Sequence, residues 1–264
     1  MMNTQNIEDL KDTLKYKGFG EQVNAALEKA IADKDKTFTL KAEFLHDMPL
    51  SIAGDPKTRD RMTFELNFKQ GKNELYYFNS YKARLDSPLF QSREQTFYLD
   101  KGRGYTAKEA YNLLAGRSVY KTLESKEGNR YKAFVQMDFA GERKPNGNYP
   151  MKSYHENYGF KVSTALQQHP LRFASLEDRD KVVRSLERGN LQRVQLEDGR
   201  ELYAKTSPQT KSIRFYDHKL QPAHTTAEPV REQKAAKAES APAAAAEPSV
   251  EEKPSASKKK GVRV

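Results

Sequence analysis

The chain has 264 residues, of which 36% are hydrophobic and 31% charged; it contains no Cys and carries a formal net charge of +10. That length holds one large domain or two small ones, and the modest share of apolar residues limits how much of it can be core. The absence of Cys excludes disulfides and thiolate zinc sites, while a pI near 9.4 favours a polyanionic partner, either nucleic acid or an acidic protein surface.

The N-terminus, MMNTQNIEDLKDTLKYKGFG, is polar and has no apolar signal-peptide core. No apolar run of about 18 residues occurs anywhere, so no membrane partner is expected and the protein reads as cytoplasmic. Within NIEDLKDTLKYKG, Ile7, Leu10 and Leu14 share a helical face, with Asn6 the expected N-cap and Gly18 the stop. GEQVNAALEKAIADK continues the 3.6-residue period through Val23, Ala26, Leu27, Ala30 and Ile31.

Then the period changes to two. TFTLKAEF sets Phe38, Leu40, Ala42 and Phe44 on one side, and MTFELNF does the same with Met62, Phe64, Leu66 and Phe68. RYKAFVQMDF repeats it with Tyr131, Ala133, Val135, Met137 and Phe139. Strands with one polar face suit antiparallel sheets, and KQGKN, KEGN, KPNGN and EDG supply turns. The spacing predicts an α+β fold: antiparallel sheets of hairpins with amphipathic helices packed on one face. EAYNLLAGRSVYKTLESKEGNRYKAFVQ and DKVVRSLERGNLQRVQLEDGRELYAK share a helix, Gly stop, strand, turn, strand order, a weak internal similarity that fits either repeated helix-plus-hairpin units from an old duplication or the common α-then-hairpin unit of α+β folds.

LYYFNSYKARL mixes aromatics with cations. As an uninterrupted strand it would place Tyr76, Phe78, Lys82 and Arg84 on one face, the composition of a base-stacking platform; core or cross-strand packing is the plainer use of such aromatics. QTFYL then leads as a strand into DKGRGYTAKEAYNLLAG, a strand-to-helix loop with Lys101, Arg103 and Lys108 around it. The loop has only G-x-G: Ala107 stands where a dinucleotide fingerprint needs a third Gly, and no Gly-Lys-Ser/Thr closes a P-loop. Thr106 and Glu109 form a capping box that accounts for the motif without a ligand, leaving the three cations for contact with a polyanion backbone.

Other chemistry is sparse. In SYHENYGF, His155 and Glu156 are adjacent and point to opposite faces of a strand, with no second His nearby. Glu124, Ser125 and Lys126 match the E-x-K piece of a metal-dependent nuclease, with Asp100 as the conceivable second carboxylate. No catalytic constellation, cofactor motif or metal-ligand cluster assembles from sequence spacing. The 27 aromatics (14 Tyr, 13 Phe) all precede Lys219, and the remainder is rich in Ala, Pro, Glu, Ser and Lys. Residues 1–218 are therefore expected to form a single folded domain, and 219–264 a disordered tail.

The strings LKYKGFGEQVNAALEKAI, YYFNSYKARL, QTFYLDKGRGYTAKEAYNLLAGRSVYKTLESKEGNRYKAFVQMDF, YHENYGF and SLERGNLQRVQLEDG together resemble an uncharacterised family carried by conjugative transposons and plasmids of Bacteroides-type bacteria. Related domains are appended to topoisomerases and to large polyvalent mobile-element proteins. The resemblance covers roughly residues 3–218 and implies a mobile-DNA context with no site residues to carry over. With the basic balance, it leads to the expectation of a non-enzymatic accessory protein of a mobile element that binds nucleic acid or a DNA-processing partner. The alternatives are a protein-binding inhibitor of host defence and a metal-dependent nuclease built on Asp100, Glu124 and Lys126.

Overall fold

Alternation carries over directly into the first sheet. The strands β1 (Thr37–His46), β2 (Asp60–Gln70), β3 (Tyr76–Ser87) and β4 (Phe90–Tyr98) lie side by side in chain order, each antiparallel to the next. The computed structural model describes residues 4–226 apart from 101 and 126. Phe38 pairs with Phe68, Leu40 with Leu66, Ala42 with Phe64 and Phe44 with Met62, so the apolar sets of the two strands meet on one face. That face shares a core with α1 (Thr4–Tyr16), α2 (Asn24–Ala32) and α3 (Ala107–Leu114). Phe19, in the link between α1 and α2, packs edge-on against Phe64, Phe78 and Tyr81 at 5.2, 5.9 and 5.2 Å.

Asn6 departs from its expected place. It lies inside α1, and its amide brackets the backbone of Tyr76, donating to the carbonyl at 3.0 Å and accepting from the N–H at 2.8 Å. An amide reproduces the pairing pattern of a neighbouring strand, so this side chain fastens α1 to β3 where capping was expected.

Two further antiparallel sheets follow. β5 (Val119–Glu124), β6 (Arg130–Met137) and β7 (Met151–His155) form a three-stranded one, with Ala133, Val135 and Met137 buried. Next come α4 (Val162–Leu166), β8 (Leu171–Arg172), α5 (Leu176–Glu187), β9 (Gln192–Leu196), β10 (Glu201–Ser207), β11 (Ser212–Tyr216) and β12 (Pro222–Ala223), whose five strands are ordered β12-β11-β10-β9-β8. A second core gathers Phe134, Phe160, Leu166, Leu186, Leu196 and Phe215 among others. Helices and three antiparallel sheets make this a mixed α+β fold.

Pairing continues beyond residue 218, where the aromatics end. β12 pairs with β11, and the buried Thr225 hydroxyl lies 2.9 Å from His169 Nδ1. Backbone ladders need no aromatic side chain, so composition does not mark this edge. Residues from 227 onward, including most of the expected disordered tail, lie outside the described residues. Among the described residues no helix is long and apolar enough to cross a membrane.

Candidate functional site

The loop between β4 and α3 closes on itself. Asp100 and Arg103 exchange backbone hydrogen bonds of 3.1 and 2.8 Å around Gly102. The start of α3 is satisfied within the protein: Ala107 N–H donates to the Lys17 carbonyl at 2.8 Å, and Glu109 N–H to Thr106 Oγ1 at 3.2 Å. Glu109 Oε2 in turn accepts from Thr106 N–H at 2.8 Å, completing the capping box expected there. With these donors engaged the helix start is no phosphate cradle. Lys101 lies outside the described residues. Arg103 reaches Asp100 Oδ2 at 2.5 Å and also Glu124 Oε2, so the two carboxylates that a nuclease would share across a metal hold one guanidinium. Lys126, the third member of that set, lies outside the described residues.

The aromatic–cation face of β3 does not form. A bulge interrupts the β2–β3 register: Phe68 faces Phe78, Asn67 faces Ser80, and Asn79 is the extra residue. Side chains alternate along a strand, so one inserted residue reverses the parity beyond it. Tyr76 and Phe78, 5% and 6% exposed, point into the core, where Phe78 stacks on Phe68 at 5.0 Å. Past the bulge Tyr81, Ala83 and Leu85 take the inner face. Lys82 and Arg84 emerge on the other side, paired with Glu94 at 3.1 Å and Asp86 at 3.0 Å. This corrects the stacking-platform reading, because the rings and the cations belong to opposite faces. His155, the last residue of β7, stacks on Tyr131 at 4.6 Å, while Glu156 opens a 3-10 turn and accepts a hydrogen bond from Tyr120, so the two part at a strand end where alternation along one strand was expected.

Lys108 leads elsewhere. It borders a cleft of about 640 Å³ whose lining comes from the β1–β2 and β3–β4 connections, α3 and Arg117 on one side, and from the α5–β9 turn, β10 and β11 on the other. The two cores meet at its back. Asn112, fully buried on α3, donates to the Arg188 carbonyl at 2.7 Å and to Asn190 Oδ1 at 3.0 Å, and the buried Ser118 and Thr206 hydroxyls are 2.7 Å apart. Gly189, at φ +82°, brings the end of α5 so close that a Cβ there would sit 2.6 Å from the Ser118 carbonyl oxygen.

Charge is unevenly compensated in this cleft. Arg117, 9% exposed, directs Nε and Nη2 to the neutral Asn112 Oδ1 at 3.2 and 2.8 Å. Lys108 Nζ and Arg117 Cζ lie 4.7 and 4.6 Å from the Tyr111 ring centre, and Lys205 Nζ lies 5.0 Å from that of Tyr216. None of the three cations forms an ion pair among the described residues. Desolvation, then the nearby Arg117 charge, lowers the Lys108 pKa. Asp60, 2% exposed, accepts from Tyr111 Oη through Oδ2 at 2.9 Å, while its Oδ1, closed off from solvent, has no hydrogen-bond partner among the described residues. Burial pushes the Tyr111 phenol up to about 12. His46 stacks on the same ring at 4.0 Å, and desolvation followed by the Lys108 and Arg117 charges lowers its pKa to about 4.

Sequence reasoning reached Lys108 and missed the rest. Lys108, Tyr111 and Asn112 share a helix face by their i, i+3 and i+4 spacing, and Tyr203 and Lys205 share a strand face, so both halves carried a periodic signal. Nothing in the sequence said that these two faces oppose each other. No protein-family model, curated protein or solved structure matches the chain.

Proposed function

We propose that the protein is a non-enzymatic accessory protein of a mobile genetic element that binds nucleic acid through this cleft. The supporting observation is that Lys108, Arg117 and Lys205 converge on one concave surface with no ion-pair partner among the described residues, each beside a tyrosine ring. Arg103, Lys82 and Arg84, by contrast, already face carboxylates. A phosphate backbone supplies such cations with the negative charge they lack. The basic net charge of +10 favours the encounter, and the family resemblance supplies the mobile-DNA setting.

The test compares the full-length chain with a Lys108→Ala/Lys205→Ala variant and with a Lys82→Ala/Arg84→Ala control, titrated with single-stranded and duplex DNA at two salt concentrations. The cleft variant should bind more weakly and lower the slope of log K against log salt by about two, one per lost phosphate contact. The control should match wild type. Equal binding by wild type and the cleft variant refutes the reading. All three proteins keep the lysines at 258–260, so tail binding cancels.

A further inference from the structure

The four-stranded sheet has two edges, and the protein treats them differently. Along β4 the Asn148 amide stands in for a further strand, accepting from Thr96 N–H at 2.9 Å and donating to the Thr96 carbonyl at 3.0 Å. Beside it, Tyr149 N–H donates to Gln95 Oε1 at 2.8 Å. The ten-residue β1 has no such cover. Its register with β2 runs unbroken from Thr37 opposite Lys69 to His46 opposite Asp60. Just before it, Gln70 N–H donates to the Lys36 carbonyl at 2.8 Å, so the even-numbered residues turn their backbone groups towards β2. The N–H and C=O groups of Thr39, Lys41, Glu43 and Leu45 therefore point outward in the plane of the sheet, and no hydrogen bond reaches them among the described residues. Neither Pro, Gly nor a bulge blunts the strand. Its apolar side is left partly open as well: Phe38 and Phe44 are half-buried, while Phe68 and Met62 opposite them are buried.

We infer that this edge pairs with the same edge of a second copy of the chain, antiparallel about a two-fold axis through Ala42. In that register every outward-pointing residue meets another: Lys41 stands opposite Glu43, twice over, and Thr39 opposite Leu45. Lys41 forms no ion pair among the described residues, and Glu43 has a contact of 3.6 Å with Arg61 that leaves both half-exposed. On the core-facing side Leu40 comes opposite Phe44 and continues the apolar face across the axis. A slip of two residues keeps the hydrogen bonding but sets Lys41 against Lys41, or Glu43 against Glu43, and like charges directly opposite are destabilising. A slip of one sets outward groups against groups already engaged with β2. Charge and hydrogen bonding thus select a single register. Both copies contribute the same edge and the β4 edge is closed, so growth through this sheet stops at two.

Sedimentation velocity on the full chain, from about 10 µM to about 1 mM, should show a monomer–dimer equilibrium, the range suited to a small contact area. Lys41→Glu and Glu43→Lys change exposed side chains, and each sets like charges opposite one another at both pairs. Either should weaken the dimer about tenfold. The double variant restores opposite charges and should return to within about threefold of wild type, and an equimolar mixture of the two single variants should dimerise better than either alone. Amide hydrogen exchange on the wild-type chain supplies a measurement that needs no substitution. Raising the concentration should slow exchange at Thr39, Lys41, Glu43 and Leu45 and leave Leu40 and Ala42 unchanged. A wild-type chain still monomeric at about 1 mM overturns the inference. So does a dimer that both single variants leave intact, a double variant that fails to restore it, or edge amides whose exchange ignores concentration. If a charge variant fails to fold, the exchange measurement decides alone.

Discussion

His46 gives the cleft a measurable acid sensitivity. Its ring lies on Tyr111 at 4.0 Å with an interplanar angle of 16°. Burial, then Lys108, Arg117 and Arg59, disfavours its protonated form, with Asp47 opposing, and the pKa falls from 6.5 to about 4. The unfolded chain therefore takes up a proton near pH 6.5 that the folded chain refuses until about pH 4. Between those values the unfolded state binds more protons, so stability rises with pH: the full contribution is present above 6.5 and is lost as pH falls towards 4. A shift of that size corresponds to about 3 kcal/mol at 1.36 kcal/mol per unit. His46 keeps part of its surface in solvent, where screening reduces such effects, so about 1–2 kcal/mol is expected. His46→Phe preserves a flat ring against Tyr111 and removes the titration. Urea unfolding followed by circular dichroism at pH 7, 6, 5 and 4.5 should show wild type losing about 1–2 kcal/mol more than His46→Phe over that range. Carboxylates that titrate in the same window, Glu187 with its raised pKa among them, are common to both proteins and cancel. Parallel curves for the two proteins would refute the argument.

Two other substitutions test the joints around the cleft. Thr106→Ala removes the acceptor of Glu109 N–H and should cost about 1 kcal/mol in urea unfolding while leaving DNA affinity unchanged; an undiminished stability would mean that the capping box contributes nothing. Gly189→Ala places a methyl group 2.6 Å from the Ser118 carbonyl oxygen and 3.0 Å from Val119 Cγ2, at a φ of +82° that alanine disfavours. Strain and overpacking together should cost more than about 2 kcal/mol, and an unaltered thermal midpoint would show that the two cores are not locked at this point.

Much of the architecture is legible in residue order. The helical stripe of α1, the period-two runs of β1 and β2, and the Thr106–Glu109 box all take the local form their spacing implies, because each depends on neighbours at most a few residues away. Strand alternation fails as a guide in two places: β6 is covered on both faces, with Phe134 in the second core and Met137 in the first, where one polar face was expected, and the β2–β3 ladder is irregular. The bulge opposite Asn67 turns Tyr76 and Phe78 inward and Lys82 and Arg84 outward, and it arises from how β3 pairs with β2, not from the residues of β3 taken alone. The loop cations show the same dependence. Arg103 reads as free charge in sequence, yet it meets Glu124 from another strand. The cleft is the extreme case: Asp60, the stretch from Lys108 to Arg117, and Lys205 belong to segments far apart in the chain, joined where Asn112 and Gly189 fasten one core to the other. Local periodicity is written in the sequence because backbone geometry repeats every two or 3.6 residues; charge compensation and cavity shape depend on contacts between distant segments, and only the packed chain decides them.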